Sequence, residues 1–138
     1  MAGNQYVAAG EFSNDCKIEI VTAWGAAITK GQVLTLTPTS TIPRAAACDA
    51  SGNAPYAVAI EAIDSSGNGR AVVYGEVAVV ADGNCYRGAI VGGKSGKVIV
   101  VAKPFETLAP AAGPCPLGRV TVGAASAGIA TVFLGQVV

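Results

Sequence analysis

The hydrophobic residues of this chain fall into short segments rich in valine and isoleucine, and each segment ends at a cluster of glycine, serine, asparagine, aspartate or proline. β-Branched residues favour strands, and such clusters favour turns. No window of ten or more residues repeats its apolar positions with the 3.6-residue period of an amphipathic helix. The pattern predicts seven strands: Lys17–Thr22, Val33–Thr37, Tyr56–Ile63, Arg70–Val80, Lys97–Ala102, Arg119–Val122 and Ile129–Val137.

Strands this short and this regularly separated predict an all-β protein built as a small β-barrel or β-sandwich. A chain of 138 residues fits one domain of ordinary size. We assign residues 17–138 to a single β-barrel-like domain and residues 1–16 to a flexible N-terminal arm, because the arm is rich in glycine, asparagine and serine.

The chain also carries a weak internal repeat. The segment VVYGEV at residues 72–77 matches VFLGQV at residues 132–137, at an offset of 60 residues. Pro55-Tyr56 matches Pro116-Leu117 at an offset of 61, and the segments that begin at Ala27 and Ala89 match at an offset of 62. These matches predict two half-repeats, residues 26–80 and 88–138. Coincidence in a chain rich in valine and glycine is the alternative.

Composition narrows the classes of function. Hydrophobic residues make up 51% of the chain and charged residues 13%, against roughly a quarter in an ordinary soluble domain. Nine basic and nine acidic residues balance, which disfavours nucleic acid and anionic membranes as partners. The longest apolar stretch, Ala71–Ala81, is too short for a membrane span and contains Glu76. So few charges predict that much of the surface is covered by other protein chains.

No catalytic or metal site is predicted. The chain has no histidine, which excludes Ser-His-Asp and Cys-His catalysis. Its four cysteines are too widely spaced for a zinc site, and we interpret them as reduced and mostly buried, with one disulfide as the alternative. The DSSGNG segment begins like a calcium loop but has Gly75 where the loop needs glutamate, so it is interpreted as a turn. We expect neither an enzyme nor a cofactor.

Several segments together resemble the capsid cement, or head decoration, proteins of tailed bacteriophages. They are AITKGQVLTL, APYAVAIEAI, GRAVVYGEV, GAIVGGKSGKV and CPLGRVTVGAASAG, followed by ATVFL. The resemblance implies a homotrimer that binds the major capsid protein on the outside of the expanded head, at local threefold points between capsomers, and stabilises the shell. The protein would be made in the host cytoplasm and reside on the virion surface.

The arm is the candidate partner-binding segment. Gln5, Tyr6, Val7 and Phe12 have no periodic apolar partner nearby, and aromatic side chains bury a large area with few rotors to freeze. We expect the arm to be mobile in the free protein and to fold onto coat subunits or a neighbouring protomer; a frayed terminus is the alternative.

Two other functions stay open at this point. One is a soluble β-sandwich that binds a small ligand or glycan through Trp24 or the pair Tyr56 and Tyr74. The other is a structural component of a phage tail or baseplate.

Overall fold

The computed structural model describes residues 6–36, 44–47, 55–103 and 116–135. In these residues the chain forms strands and no helix, which confirms the all-β prediction. Two strands, β3 and β6, were not predicted. The nine strands are β1 Lys17–Ala23, β2 Val33–Leu36, β3 Arg44–Ala47, β4 Pro55–Ala59, β5 Asn68–Val80, β6 Ile90–Lys94, β7 Lys97–Ala102, β8 Pro116–Val122 and β9 Ile129–Leu134.

The first five strands close into a barrel. They pair in the order β1-β3-β2-β4-β5, and β5 returns to pair with β1. All of these pairs are antiparallel except β1 with β3. A five-stranded barrel has a narrow interior, so small side chains are needed to fill it. Alanine accordingly occupies five of the nine buried positions of this core: Val21, Ala23, Ile28, Leu34, Ala45, Ala57, Ala59, Ile63 and Ala71.

The second half of the chain repeats this order of strand pairings. We call each set of paired strands a circuit: the first consists of β1–β5, and the second of the end of β5 with β6–β9. The C-terminal part of β5 pairs with β9, and the circuit continues through β8 and β6 to β7. A parallel bridge between Ala81, just after β5, and Val98 of β7 completes the circuit. The bridge corresponds to the parallel pairing of β1 with β3. One continuous strand, β5, therefore belongs to both circuits.

A second buried cluster joins the two circuits. Val33, Val58 and Val72 lie on the outer face of the first barrel, since their chain neighbours Leu34 and Ala71 point inward. These three valines pack together with side chains of the second circuit, among them Val79, Val91, Val98, Val120 and Val132. The two circuits are thus held together by a shared apolar core as well as by β5.

Individual hydrogen bonds show how the two circuits align. The Ala59 N–H donates to the carbonyl of Gln32 at 3.0 Å, and the Val120 N–H donates to that of Ala89 at 2.9 Å. Ala89 therefore corresponds to Gln32, and the sequence match of Ala89 with Ala27 was wrong in register. At the other two matched positions the structure is similar: Pro55 pairs with Thr35 where Pro116 pairs with Gly92, and both Gly75 and Gly135 have positive φ. That the halves arose by duplication stays a prediction.

The circuits are bounded differently from the predicted half-repeats. The first circuit begins at Lys17, earlier than residue 26, and the second begins within β5. At that boundary Gly75 has a φ of 115°, a conformation that glycine adopts readily. A β-carbon at Gly75 would lie 2.6 Å from the Cys16 sulfur. The passage of β5 from one circuit to the other thus depends on the missing side chain of Gly75.

The described part of the arm lies against the second half of β5 in its own chain. The Gly10 N–H donates to Ala78 at 2.7 Å, the Ala78 N–H donates to Glu11 at 2.8 Å, and the Ser13 N–H donates to Glu76 at 3.1 Å. Phe12 bridges to Val77 and packs against the second core. Residues 10–13 thus form a short antiparallel extension beside β5, an arrangement that the expectation of a mobile arm did not include.

We expect Gly118→Ala to destabilise the protein strongly. A β-carbon at Gly118 would lie 2.3 Å from the backbone oxygen of Phe133 on the paired strand β9, so β8 and β9 would have to separate. Overpacking of this kind costs about 3 kcal/mol of unfolding free energy. The control is Gly83→Ala, where φ is 93° but nothing lies within 4 Å, and the cost is about 1–2 kcal/mol of backbone strain. Urea unfolding measures both, and equal losses would contradict the steric explanation.

We expect Phe12→Ala to lower the unfolding free energy of the isolated chain by about 2 kcal/mol, roughly half the cost for a fully buried phenylalanine, because the ring is half-buried. The control is Val7→Ala in the same segment, where the side chain is 87% exposed and the change stays within about 0.5 kcal/mol. Thermal unfolding of both variants provides the measurement. Indistinguishable midpoints would mean that the arm is detached from β5 and the second core in solution.

Candidate partner-binding surface

The four residues predicted to anchor a partner have different surroundings. Gln5 lies outside the described residues. Val7 is almost fully exposed and is therefore available to a partner, whereas Phe12 is already used by the core of its own chain. Tyr6 is half-buried, and its hydroxyl donates to Oε1 of Glu76 at 3.3 Å. That these residues bind another chain stays a prediction.

The hydrogen bond of Tyr6 leads to a surface that the sequence did not reveal. The Thr121 hydroxyl lies 3.0 Å from the other carboxylate oxygen of Glu76. Glu76 is paired across the strands with Phe133, whose ring meets that of Tyr74 edge-on with centroids 5.3 Å apart. We call these five residues the aromatic surface. Tyr74 is 50% exposed at its margin, so the surface offers a partner both ring area and hydroxyl groups.

The turn of the arm is fixed by Glu11. Its Oε1 accepts hydrogen bonds from the backbone N–H groups of Val7, at 3.1 Å, and Ala8, at 2.8 Å. Because this turn directly follows Tyr6, it helps to place the tyrosine over Glu76. The carboxylate of Glu11 thus serves the local structure, and Val7 is left as the outward-pointing side chain of the turn.

A second apolar surface lies on the outer face of β1. Successive side chains of a strand point to opposite faces, and Val21 and Ala23 face the barrel core. Ile18, Ile20 and Thr22 therefore face outward, and Trp24 follows at the end of the strand. Ile18, Ile20 and Trp24 are exposed by 37%, 69% and 45%. We call this row the β1 stripe, and it consists of Ile18, Ile20, Thr22 and Trp24.

The β1 stripe ends at a cleft of about 420 Å³ that contains Trp24 and Arg44. The Arg44 guanidinium carbon lies 5.0 Å from the centroid of the Trp24 ring, a cation–π arrangement. Thr22, Ala23, Gly25 and Ser66 complete the lining. The guanidinium occupies one face of the indole, so a sugar ring could stack only on the other.

The remaining aromatic candidate, Tyr56, is engaged within the first barrel. Its hydroxyl donates to the carboxylate of Glu19, and its ring packs against the alanine-rich core. The hydrogen bond to Glu19, together with burial, raises the pKa of Tyr56 to about 12. Tyr56 is thus neutral at physiological pH and serves the packing of the barrel.

The two cysteines in the described ranges are free thiols. Cys16 is half-buried beside Gly75, and Cys85 is buried in the second core. Burial, with a smaller contribution from the charge of Asp82, raises the pKa of the Cys85 thiol. Within these same ranges, no three histidine, cysteine or acidic residues are grouped as metal ligands would be. The described residues also contain no helix that could cross a membrane.

Comparisons with known proteins bear on the fold. The chain matches no protein-family model and no curated protein sequence. Its structure is similar to a solved structure described as the head fiber gp8.5 N base in bacteriophage phi29, with a TM-score of 0.60 and 15% sequence identity. The similarity covers 86% of this chain and 93% of that chain. At this level of identity the two proteins share a fold, and the shared fold extends over nearly the whole of both.

Proposed function

We propose that this chain is a structural protein of a bacteriophage head, which binds the outer surface of the expanded shell and holds neighbouring coat subunits together. The observation that carries the proposal is the fold similarity to a phage head fiber base. That similarity covers 86% of this chain and 93% of the other, so it is a likeness of whole domains rather than of a common local motif.

The sequence supports the same class of function independently. Six segments of the chain resemble phage capsid cement proteins, and the chain carries 13% charged residues. The aromatic surface and the β1 stripe both lie on the outside of the fold. Such regions are typical of a protein that functions bound to other chains.

The trimeric state and the threefold position are the finer part of the proposal. A phage shell presents the same local threefold junction many times, and a trimer would offer three copies of each contact there. Three weak contacts made at once hold far more tightly than one, because the second and third form at high effective concentration. A small protein with modest apolar surfaces could then stabilise a shell without one large interface.

Two other functions are weaker alternatives. The Trp24 cleft favours a glycan- or ligand-binding module, but Arg44 already stacks on the indole. A component of a phage tail or baseplate would also act by binding neighbouring virion proteins. The experiment below distinguishes it from a head protein.

We expect the purified protein to co-sediment saturably with expanded empty shells of its own phage and not with unexpanded shells. Saturation should approach three copies per local threefold junction, and in a parallel measurement decorated DNA-filled heads should release their DNA at a higher temperature than undecorated ones. Binding to purified tails and not to shells would indicate that the protein is a tail component. Absence of binding to either would reject the proposed function.

Within this experiment, Tyr74→Ser should weaken shell binding at least tenfold, about 1.4 kcal/mol, because a half-exposed ring in the aromatic surface would be lost to the interface. The matched control is Tyr86→Ser, which removes an equally exposed ring, 49%, outside the aromatic surface. Unfolding free energies of both variants separate lost stability from lost binding. Equal shell affinity for the two variants would show that the aromatic surface is not part of the interface.

A further inference from the structure

A cleft of about 200 Å³ lies where the two circuits meet. Three turns form its walls: the turn of the arm, the turn before β2, and the turn between β6 and β7. A β-carbon at Gly31 would collide with that of Ala9 in the arm, and the Val33 N–H donates to the Gly96 carbonyl at 2.9 Å. The walls are therefore fixed by close packing before any partner binds. The polar lining consists of Thr29, Lys30, Gln32, Ser95 and Lys97, and we call the site the lysine cleft.

Three lysines are grouped at the lysine cleft. Lys30 and Lys97 line it, and Lys94 is paired directly opposite Lys97 in the hairpin of β6 and β7. The stem of Lys30 lies over Gly10 of the arm, where a β-carbon would be 2.6 Å from the lysine Cγ. Side chains directly opposite in an antiparallel pair share one face, and like charges in that position destabilise the hairpin. The fold thus holds ammonium groups together at a cost to its own stability.

The described part of the chain does not neutralise these lysines, since none of the three forms an ion pair there. Asp82 lies beside β7, where its N–H donates to a strand carbonyl at 2.7 Å, but its carboxylate is not paired with Lys97. The Glu11 carboxylate is occupied by two N–H groups of the arm. The described ranges hold all nine basic residues of the protein and seven of its nine acidic residues, with Asp49 and Glu106 outside them.

The lysine cleft also contains uncharged hydrogen-bond donors. Oε1 of Gln32 accepts the N–H of Thr29 at 2.9 Å, and its Nε2 lies on the side of Gly96, where a β-carbon would be 3.3 Å away. Ser95 has a φ of 52°, which is uncommon for a residue other than glycine, and its exposed side chain lines the cleft. Ammonium, amide and hydroxyl donors together match the oxygen atoms of a carboxylate.

The size and lining of the cleft indicate what kind of partner carries that carboxylate. Sites for free small molecules usually exceed about 300 Å³, so a cleft of about 200 Å³ suits a single side chain. Its lining includes no aromatic ring on which a nucleotide base would stack. Within the described ranges, no three acidic side chains are grouped closely enough to hold one cation, so a second copy offers no compact acidic counterpart. The best match is an acidic side chain of a different protein.

We propose that the lysine cleft binds a glutamate or aspartate side chain of a coat subunit, with Lys30 and Lys97 as the cations that hold it. The inference rests on the proposed function for the identity of the partner. A bound carboxylate would offset the repulsion between Lys94 and Lys97, so binding relieves a feature that destabilises the free chain. The arm contributes one wall of the cleft, which gives it a part in binding even where its aromatic side chains stay on its own core.

The test uses the full-length protein and expanded shells at low and high salt. Lys97→Gln should lower shell affinity at least about tenfold at low salt, because a charge-assisted hydrogen bond is lost. The difference from the unmodified protein should shrink as salt is added, since salt screens a partly exposed ion pair. Lys97→Arg keeps the charge and should retain most of the affinity.

Arg87→Gln is the matched control. Arg87 precedes Ala89 by two residues as Lys30 precedes Gln32, so it is the equivalent basic residue of the second circuit. It is exposed and does not line the lysine cleft, and its loss should change shell affinity by less than about twofold.

Thermal unfolding of the free protein gives a second readout. Lys97→Gln should leave the midpoint unchanged or raise it, because the repulsion with Lys94 is removed. A lysine with a purely structural role would instead lose stability and affinity together. A peptide of four glutamates in excess should also shift the amide NMR signals of Ser95 and Gly96, and a peptide of four glutamines should not.

The contradicting outcomes are distinct. Equal shell affinity of Lys97→Gln and Arg87→Gln, or no shift with the glutamate peptide, would overturn the inference and leave the proposed function standing. A lowered midpoint of Lys97→Gln would mean that a carboxylate of the chain itself holds this lysine. Self-association that is lost in Lys97→Gln while shell binding persists would assign the cleft to a second copy. Either result overturns the inference.

Failure of the unmodified protein to bind shells would instead reject the proposed function. The amide shifts would then still report whether the lysine cleft binds carboxylates.

Discussion

The structure depends on one strand being shared. β5 runs for 13 residues, and its first half closes the alanine-filled barrel while its second half begins the valine-rich circuit. β5 pairs with β1 up to Tyr74 and with β9 from Gly75 onward, so one continuous backbone joins the two circuits. Gly75 marks the transition, where a side chain would collide with Cys16 and where a positive φ redirects the strand. The arm, the aromatic surface and the β1 stripe all take their positions from this strand.

The sequence predicted those strands whose residues suit an ordinary two-sided sheet. β7 was predicted with its observed bounds, and β5 was predicted from Arg70 to Val80. β3, with the sequence RAAA, was missed because alanine has no strand preference. Its side chains are small because the interior of a five-stranded barrel is narrow, and this requirement arises only when the barrel closes. β6 was missed because Gly92 and Gly93 weaken a strand signal, although both are buried beside paired strands.

The candidate surfaces were less predictable than the fold. Tyr6 and Val7 were chosen from the sequence as apolar residues without a periodic partner, but the same reasoning chose Phe12, which the core uses. The surroundings of Tyr6 come from far along the chain, since Tyr6 bonds Glu76 on β5, and the pairing of β5 with β9 and of β9 with β8 brings Thr121 to the same carboxylate. Residue alternation alone could have marked Ile18 and Ile20 as outward-facing.

A strand that is shared by two circuits also transmits mechanical load between them. If the two circuits are pulled apart along β5, the load falls on its backbone hydrogen bonds to β1 on one side of Gly75 and to β9 on the other. These bonds lie perpendicular to the strand, so a force along the strand shears them together rather than peeling them one at a time. Shear loading distributes the force over every rung of the ladder. The greatest resistance to extension is therefore expected along β5, the direction in which a load between the two circuits would act.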